Sequence, residues 1–215
     1  MSGPEERAKL FNIANILTML RIVIVPAVLV LLLLLRPEPT RGWIRLELPA
    51  ESAPGHNLLW SVLAMFLFVI ASLTDILDGW LARKYQLITN FGKLLDPLAD
   101  KLLVMGAMVM LVEKNRLPGW MAVIIIAREL AITSLRSIAG AEGVVIAASP
   151  LGRWKNIFQV FSLAAIILYY QIGWVNFYIL GITVFLLAVI LTIWSGVDYT
   201  YHFWPLIIGK SPEKK

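Results

Sequence analysis

The sequence predicts an all-α, polytopic membrane protein with six transmembrane helices around a cytoplasm-facing polar cavity. Three observations predict it. Apolar residues make up 59% of the chain and charged residues 15%, where a soluble domain has roughly half and about a quarter. Uncharged runs long enough for a hydrocarbon core of about 30 Å recur along the chain. Four aspartates, Asp75, Asp78, Asp96 and Asp100, are packed between two such runs in "DILDGWLARKYQLITNFGKLLDPLAD".

The expected spans are 12–36, 57–83, 91–113, 118–139, 152–172 and 174–203. The first is the clearest, since "IVIVPAVLVLLLLL" from Ile22 carries no charge. Pro26 is expected to kink it, as lipid-embedded helices tolerate when neighbours satisfy the freed backbone. The second and third spans flank the aspartates with "WSVLAMFLFVIASLT" and "KLLVMGAMVMLV". The fourth carries Arg128 and Arg136, and the fifth opens on "GRWKNIFQ". The sixth exceeds the minimum length and is expected to tilt or project from the bilayer. The loop 36–56 is Pro-rich, and its "WIRLEL" segment suits the membrane interface.

Residues 1–215 read as a single membrane domain, with no repeat and no low-complexity tract. The absence of cysteine excludes a disulfide framework and thiolate metal sites. A removable signal peptide is not expected, because the first apolar run continues well past the length of an h-region. With the N-terminus in the cytoplasm, the cytoplasmic segments carry Arg7, Lys9, Arg83, Lys84, Lys93, Arg153, Lys155, Lys210, Lys214 and Lys215. The opposite loops carry half as many basic residues: Arg36, Arg41, Arg45, Lys114 and Arg116. The positive-inside bias therefore places both termini in the cytoplasm.

On that topology Asp75 and Asp78 end the second helix, and Asp96 and Asp100 begin the third. Pairs at i,i+3 and i,i+4 share a helix face. The short turn 84–90 makes the two helices antiparallel neighbours, so all four carboxylates can converge. Four ionised carboxylates repel at low dielectric and require compensation. An all-carboxylate site suits hard cations such as Mg²⁺ or Mn²⁺, and two such ions suit phosphoryl chemistry. His56 and His202 are both distant in sequence. Gly79 and Ala82 would let a nucleotide approach the helix backbone, Arg83 and Lys93 would offset phosphate charge, and Gly92 opens the turn into the third helix. The competing reading makes Asp96 an N-cap with Pro97 at the first helical position, and Asp75 and Asp78 ordinary interfacial charges. Four intramembrane acids together, with glycines at two turns, favour function.

The string D75-x2-D78-G79-x2-A82-R83-x8-G92-x3-D96-x3-D100 resembles, without a gap, the signature of the CDP-alcohol phosphatidyltransferases. The six-helix layout is similar too. The resemblance implies that Asp75, Asp78 and Asp96 bind two metal ions. It implies that Asp100 is the general base and a further metal ligand, and that CDP-diacylglycerol sits in the pocket with its acyl chains in membrane lipid. It also implies a homodimer, and no nucleic-acid partner is expected.

The acceptor is read from basic residues. Arg128 and Arg136 lie two turns apart on the fourth helix, and Arg153 and Lys155 open the fifth. Charges within membrane helices should face a polar cavity, where arginines hold a phosphorylated acceptor through paired hydrogen bonds. The competing reading of Arg136, Arg153 and Lys155 is positive-inside anchoring. Glu129 is not expected to pair with Arg128, since neighbours at i,i+1 do not face each other. The segments "NIANILTMLRI", "AREL" with "LRS", and "GRWKNIFQ" resemble the bacterial phosphatidylglycerophosphate synthases of the family. That likeness implies Asn15, Thr18 and Arg21 near the nucleotide, and Arg128, Arg136 and Lys155 on sn-glycerol 3-phosphate. Arg153 stands where a lysine is common, with the charge retained. A bacterial cytoplasmic (inner) membrane, with the active site on the cytoplasmic side, is the implied location. Other acceptors open to the same chemistry are inositol phosphate, serine and phosphatidylglycerol. A cation transporter fits less well, because the acids cluster at one membrane face and none continues across.

Overall fold

This computed structural model describes residues 13–38, 55–85, 90–141 and 150–207. Within them, side chains are described except at 13–19, 22, 55–56, 75–85, 90–100, 141, 150–153 and 198–207. The helices are α1 (Ile13–Leu33), α2 (Gly55–Tyr85), α3 (Asn90–Glu113), α4 (Gly119–Ala141), α5 (Pro150–Leu168) and α6 (Phe177–Ile207). A two-stranded hairpin, β1 (Gln171–Ile172) and β2 (Val175–Asn176), joins the last two helices. The described residues are thus all-α but for this hairpin.

The helices close a ring. α1 packs on α2 and α3, α2 on α5, α5 on α6, α6 on α4, and α4 on α3. α2 and α3 touch, as the short turn between them predicts, but each leans more heavily on α1. The inward faces follow helical spacing: Val25, Val28, Leu32 and Leu35 from α1 and its exit, Ser61, Ala64, Phe68 and Ala71 from α2, and Tyr178, Ile182, Phe185, Val189 and Thr192 from α6. The outward faces are apolar as well. Val23, Phe66, Val123, Phe161, Trp194 and Val197 are each more than half exposed. An exterior of this kind suits hydrocarbon rather than water.

Buried hydroxyls turn back onto their own helices. Ser72 donates to the Phe68 carbonyl at 2.9 Å, Thr74 to Ile70 at 2.7 Å and Thr192 to Ala188 at 2.6 Å, which satisfies them where water is absent. Among the described residues, Asn57–Thr74 and Phe177–Val197 are long and apolar enough to cross a membrane. Val23–Leu33 and Trp154–Leu168 are shorter apolar stretches.

Three local expectations are corrected. The fifth helix ends at Leu168 rather than at 172, and the sixth starts at Phe177 rather than at 174. Gly173, at φ 60°, supplies the turn of the hairpin between them. The Asn176 side chain accepts the Ile179 amide at 3.0 Å and so caps α6. The third helix begins at Asn90, so Asp96 and Pro97 lie inside it and Asp96 is not its N-cap. Gly92 likewise belongs to the first turn of α3. The helix continues through Pro26 in α1. The "WIRLEL" segment lies outside the described residues.

One end of the ring is tied by Arg116, from the turn between α3 and α4. Its side chain is fully buried. Nη1 donates to Ser61 Oγ on α2 and to the Ile167 carbonyl on α5, each at 2.8 Å. Nη2 lies 3.3 Å from Glu38 Oε1, and the guanidinium stands 4.4 Å from the Tyr169 ring centroid. Burial lowers the pKa of this arginine, while Glu38 and the two tyrosines at 169 and 170 pull it back up. Around this group, Glu38 N donates to the Lys114 carbonyl (3.0 Å), Asn115 Nδ2 to the Glu38 carbonyl (2.8 Å) and Arg36 N to Asn57 Oδ1 (3.2 Å). Asn115 and Tyr169 adopt left-handed backbones, at φ 58° and 67°. Asn tolerates that region readily. Tyr169 is held in it by its tilted contact with the Tyr178 ring, 5.0 Å between centroids, and by Arg116 over its ring.

Removing one partner of a buried ion pair leaves an uncompensated charge and costs about 3 kcal/mol or more. Arg116→Ala is therefore expected to lower the melting temperature of the detergent-solubilised protein clearly. Arg116→Lys should recover only part, since an ammonium cannot reproduce the planar fork. An unchanged melt in Arg116→Ala would remove this group from the account of stability.

A second packing constraint lies between α5 and α6. A Cβ on Gly181 would stand 2.9 Å from the Ile166 amide nitrogen and 3.1 Å from the Ser162 carbonyl oxygen, both backbone atoms. Gly181→Ala is expected to destabilise by about 1–3 kcal/mol through overpacking. Gly140→Ala, with nothing within 4 Å, serves as the control and should be neutral or slightly stabilising in thermal melts.

Candidate active site

The Arg116 group fixes which helix ends lie together. The exit of α1, the start of α2, the α3–α4 turn and the end of α5 all meet there. The opposite end therefore gathers the start of α1, the end of α2, the start of α3, the later half of α4, the start of α5 and the later half of α6. The sequence-derived site residues in described helices lie toward that opposite end, with Arg128 near the middle of α4.

Asp75 and Asp78 lie about three and two turns before the end of α2, and Asp96 and Asp100 about two and three turns into α3. Gly79, Ala82 and Arg83 are on the same stretch of α2, and Gly92 and Lys93 on the first turn of α3. The side chains of all these residues lie outside the described ones, as do those of Asn15 and Thr18 on α1 and Arg153 on α5. Arg21 is described: α1 buries it completely at this end.

The basic residues are resolved in more detail. Lys155 on α5 is 1% exposed and ion-paired with Glu129 of α4. The same Glu129 oxygen, Oε1, lies 3.2 Å from Arg128 Nη1. Arg128 Nη2 donates to Ser195 Oγ on α6 at 2.7 Å. A Cβ on Gly196 would stand 3.4 Å from Arg128 Cγ, so α6 fits closely along the arginine stem. Thr133 Oγ1 donates to the Glu129 carbonyl at 2.7 Å and accepts a hydrogen bond from Lys101 Nζ on α3. Lys101 directly follows Asp100. Arg136 is exposed and lies one turn beyond Thr133 on α4.

The structure thus joins Arg128 and Lys155 through a carboxylate and overturns the expectation that Arg128 and Glu129 do not pair. Neighbours at i,i+1 do diverge at Cβ. Here both arms are long, and each reaches a partner on another helix, Glu129 to Lys155 on α5 and Arg128 to Ser195 on α6. Sequence reasoning missed four members of this group: Lys101, Glu129, Thr133 and Ser195. Glu129 carried a signal, because an acid within a membrane span is costly and needs a partner. Ser195 carried none, since a serine in an apolar helix reads as a backbone-bonded hydroxyl.

Such an arrangement can hold an anion. Two cations from different helices, Arg128 and Lys155, are brought together on one carboxylate. Arg128 Nε, a further donor, has no hydrogen-bond partner among the described residues. The acidic stretch of α2 and α3 stands at the same end, with Lys101 linking it to this basic group.

Comparison with known proteins bears on the chemistry. The family model for CDP-alcohol phosphatidyltransferase matches residues 11–194. A Bacillus subtilis (strain 168) protein named CDP-diacylglycerol–glycerol-3-phosphate 3-phosphatidyltransferase is 39% identical over 196 residues, covering 91% of this chain and 96% of its own. A protein of the same name from Rickettsia typhi is 34% identical over 189 residues, 87% of this chain and 94% of its own. A Mycobacterium tuberculosis protein named probable phosphatidylglycerophosphate synthase is 36% identical over 193 residues, 90% and 82% of the two chains.

Proposed function

The chain belongs to the CDP-alcohol phosphatidyltransferase family, and from that premise we propose that it transfers the phosphatidyl group of CDP-diacylglycerol to sn-glycerol 3-phosphate, giving phosphatidylglycerophosphate and CMP. The observation that carries this reading is the ungapped aspartate string at 75–100, borne on helices that end beside the Arg128–Glu129–Lys155 group.

In this reading Asp100 accepts the proton of the acceptor hydroxyl. That oxygen bonds to the phosphorus attached to diacylglycerol, the bond from this phosphorus to the CMP oxygen breaks, and CMP leaves with the electron pair. Arg128, Arg136, Arg153 and Lys155 hold the acceptor phosphate and orient its hydroxyl, and positioning of this kind lowers the barrier by reducing the entropy lost on reaction. Asn15, Thr18, Arg21, Gly79, Ala82, Arg83, Gly92 and Lys93 shape the nucleotide side. Asp75, Asp78, Asp96 and Asp100 are an all-oxygen, all-anionic donor set on two touching helices. That chemistry fits Mg²⁺ or Mn²⁺ and excludes ions that need sulfur or imidazole. Two such ions would supply charge stabilisation for the pyrophosphate oxygens.

We place this activity in the bacterial cytoplasmic membrane, with six spans, both termini and the polar cavity on the cytoplasmic side, and the protein as a homodimer. The apolar exterior of the ring supports a lipid surround. The excess of lysine and arginine in the segments assigned to the cytoplasm supports the orientation.

The first test is CMP release by detergent-solubilised protein with CDP-diacylglycerol and a panel of acceptors. Glycerol 3-phosphate is expected to support turnover, and inositol phosphate, serine and phosphatidylglycerol are not. Turnover with one of those three and not with glycerol 3-phosphate would overturn the acceptor.

The second test concerns the acids. Asp100→Asn is expected to lower kcat by about 100-fold or more, the usual contribution of a general base. Chelation should abolish CMP release, and added Mg²⁺ or Mn²⁺ should restore it. Full activity in Asp100→Asn, or turnover in chelator, contradicts this mechanism.

A further inference from the structure

We infer that Glu129 is a positioning residue for the acceptor: its carboxylate fixes Arg128 and Lys155 in one cradle for a phosphomonoester, without itself touching the substrate. The inference rests on the acceptor reading above and adds to it a residue, and a role, that the basic side chains alone do not reveal.

Four observations carry it. First, one oxygen of Glu129 serves both cations, 3.2 Å from Arg128 Nη1 and ion-paired with Lys155 Nζ. The two cations come from different helices, so this carboxylate sets the spacing between them. Second, Arg128 is gripped from the other side by Ser195 Oγ at 2.7 Å, and Ser195 is itself 2% exposed. The guanidinium plane is therefore held at two points, with Nε left over. Third, the turn that carries Glu129 is tied to α3 through Thr133 and Lys101, which puts the cradle in register with the helix of Asp100. Fourth, a buried ion pair is a poor source of net stability, and apolar residues of equal volume commonly replace one without loss. A charge group of this kind inside a ring with an apolar exterior is better explained by ligand binding than by folding.

The electrostatics have a definite sign. Without Glu129 the two cations would repel each other at low dielectric and turn apart. With it they stay together, both held on the one carboxylate. A dianionic phosphomonoester can then enter without either cation having to be reoriented, and the planar arginine favours a phosphate over a hydroxyl.

The test separates the two substrates kinetically. Purified wild type, Glu129→Gln, Glu129→Asp and Ser195→Ala are compared by CMP release, with KM measured for glycerol 3-phosphate and for CDP-diacylglycerol, and with thermal melts as a check on folding. Loss of transition-state and ground-state binding at one substrate appears as a change in that substrate's KM. Glu129→Gln is expected to raise the acceptor KM by ~10-fold while the donor KM stays within ~2-fold. Glu129→Asp, which keeps the charge but is about one methylene too short to serve both cations, should fall between, at ~3-fold. Ser195→Ala should shift the acceptor KM in the same direction by less. If Glu129→Gln does not fold, the Asp variant decides the matter by the same split. An unchanged acceptor KM in folded variants, or both KM values moving together with the melting temperature, overturns the inference. Should wild type turn over only with a different acceptor, the acceptor reading fails by itself. The role of Glu129 is then judged on the KM of that acceptor, where the same selective rise supports it and its absence sinks it.

Discussion

Every charge inside this ring of helices has to find its partner within the ring, because the outer surface is apolar. That constraint organises both ends of the molecule. Water cannot solvate a stray guanidinium between Val28 and Phe68, so a buried cation persists only where several elements converge to satisfy it. Arg116 does so at one end: its contacts come from the segment after α1, from α2, from α5 and from two tyrosine rings. Because one side chain serves so many elements, it fixes the relative heights of those helices. The location of the candidate site at the other end follows from that alignment.

The two ends satisfy the constraint differently. Arg116 meets a carboxylate, a hydroxyl, a carbonyl and aromatic faces, and contacts from so many elements suit a fixed joint. At the other end, Arg128 and Lys155 meet on a single carboxylate. In the proposed reading, divalent cations would complement the aspartates carried by α2 and α3, and a phosphate would complement the bases. A nucleotide-linked lipid and a phosphorylated alcohol would together bring the remaining groups. The same rule that makes one end rigid therefore makes the other receptive.

Much of this was legible in the sequence, and what was not has physical reasons. The first helix, the fourth and the starts of the second and third were found to within a few residues, since long uncharged runs bounded by polar residues leave little choice. The aspartate string was legible because its meaning lies in spacing along the chain. The hairpin at 171–176 was missed because 163–185 is apolar and aromatic almost throughout. Its turn is marked only by Gly173 and by the capping Asn176, which a hydropathy reading passes over. The competing reading of Asp96 as an N-cap arose because Asp-Pro resembles a helix N-terminus, and it failed because the helix already begins at Asn90 and runs through Pro97. The pairing of Glu129 with Arg128 was ruled out by a surface-helix rule. That rule describes side chains extending freely into water, and it fails where both arms are drawn toward partners on other helices.

The last of these points bears on how selectivity is divided. The aspartates lie on helices whose register with each other is set by α1, which packs against both. The basic residues lie on α4 and α5, which reach the ring's opposite side through α6. In the proposed reading, donor chemistry and acceptor recognition would be carried by different helices, joined at this end by Lys101 reaching from α3 to Thr133. Changes on α4 to α6 would then alter which alcohol is held without disturbing the acids on α2 and α3. In this chain Lys101, Thr133 and Glu129 mark where the two halves must stay in register, and Glu129 stands at that junction as the one described acid among the bases.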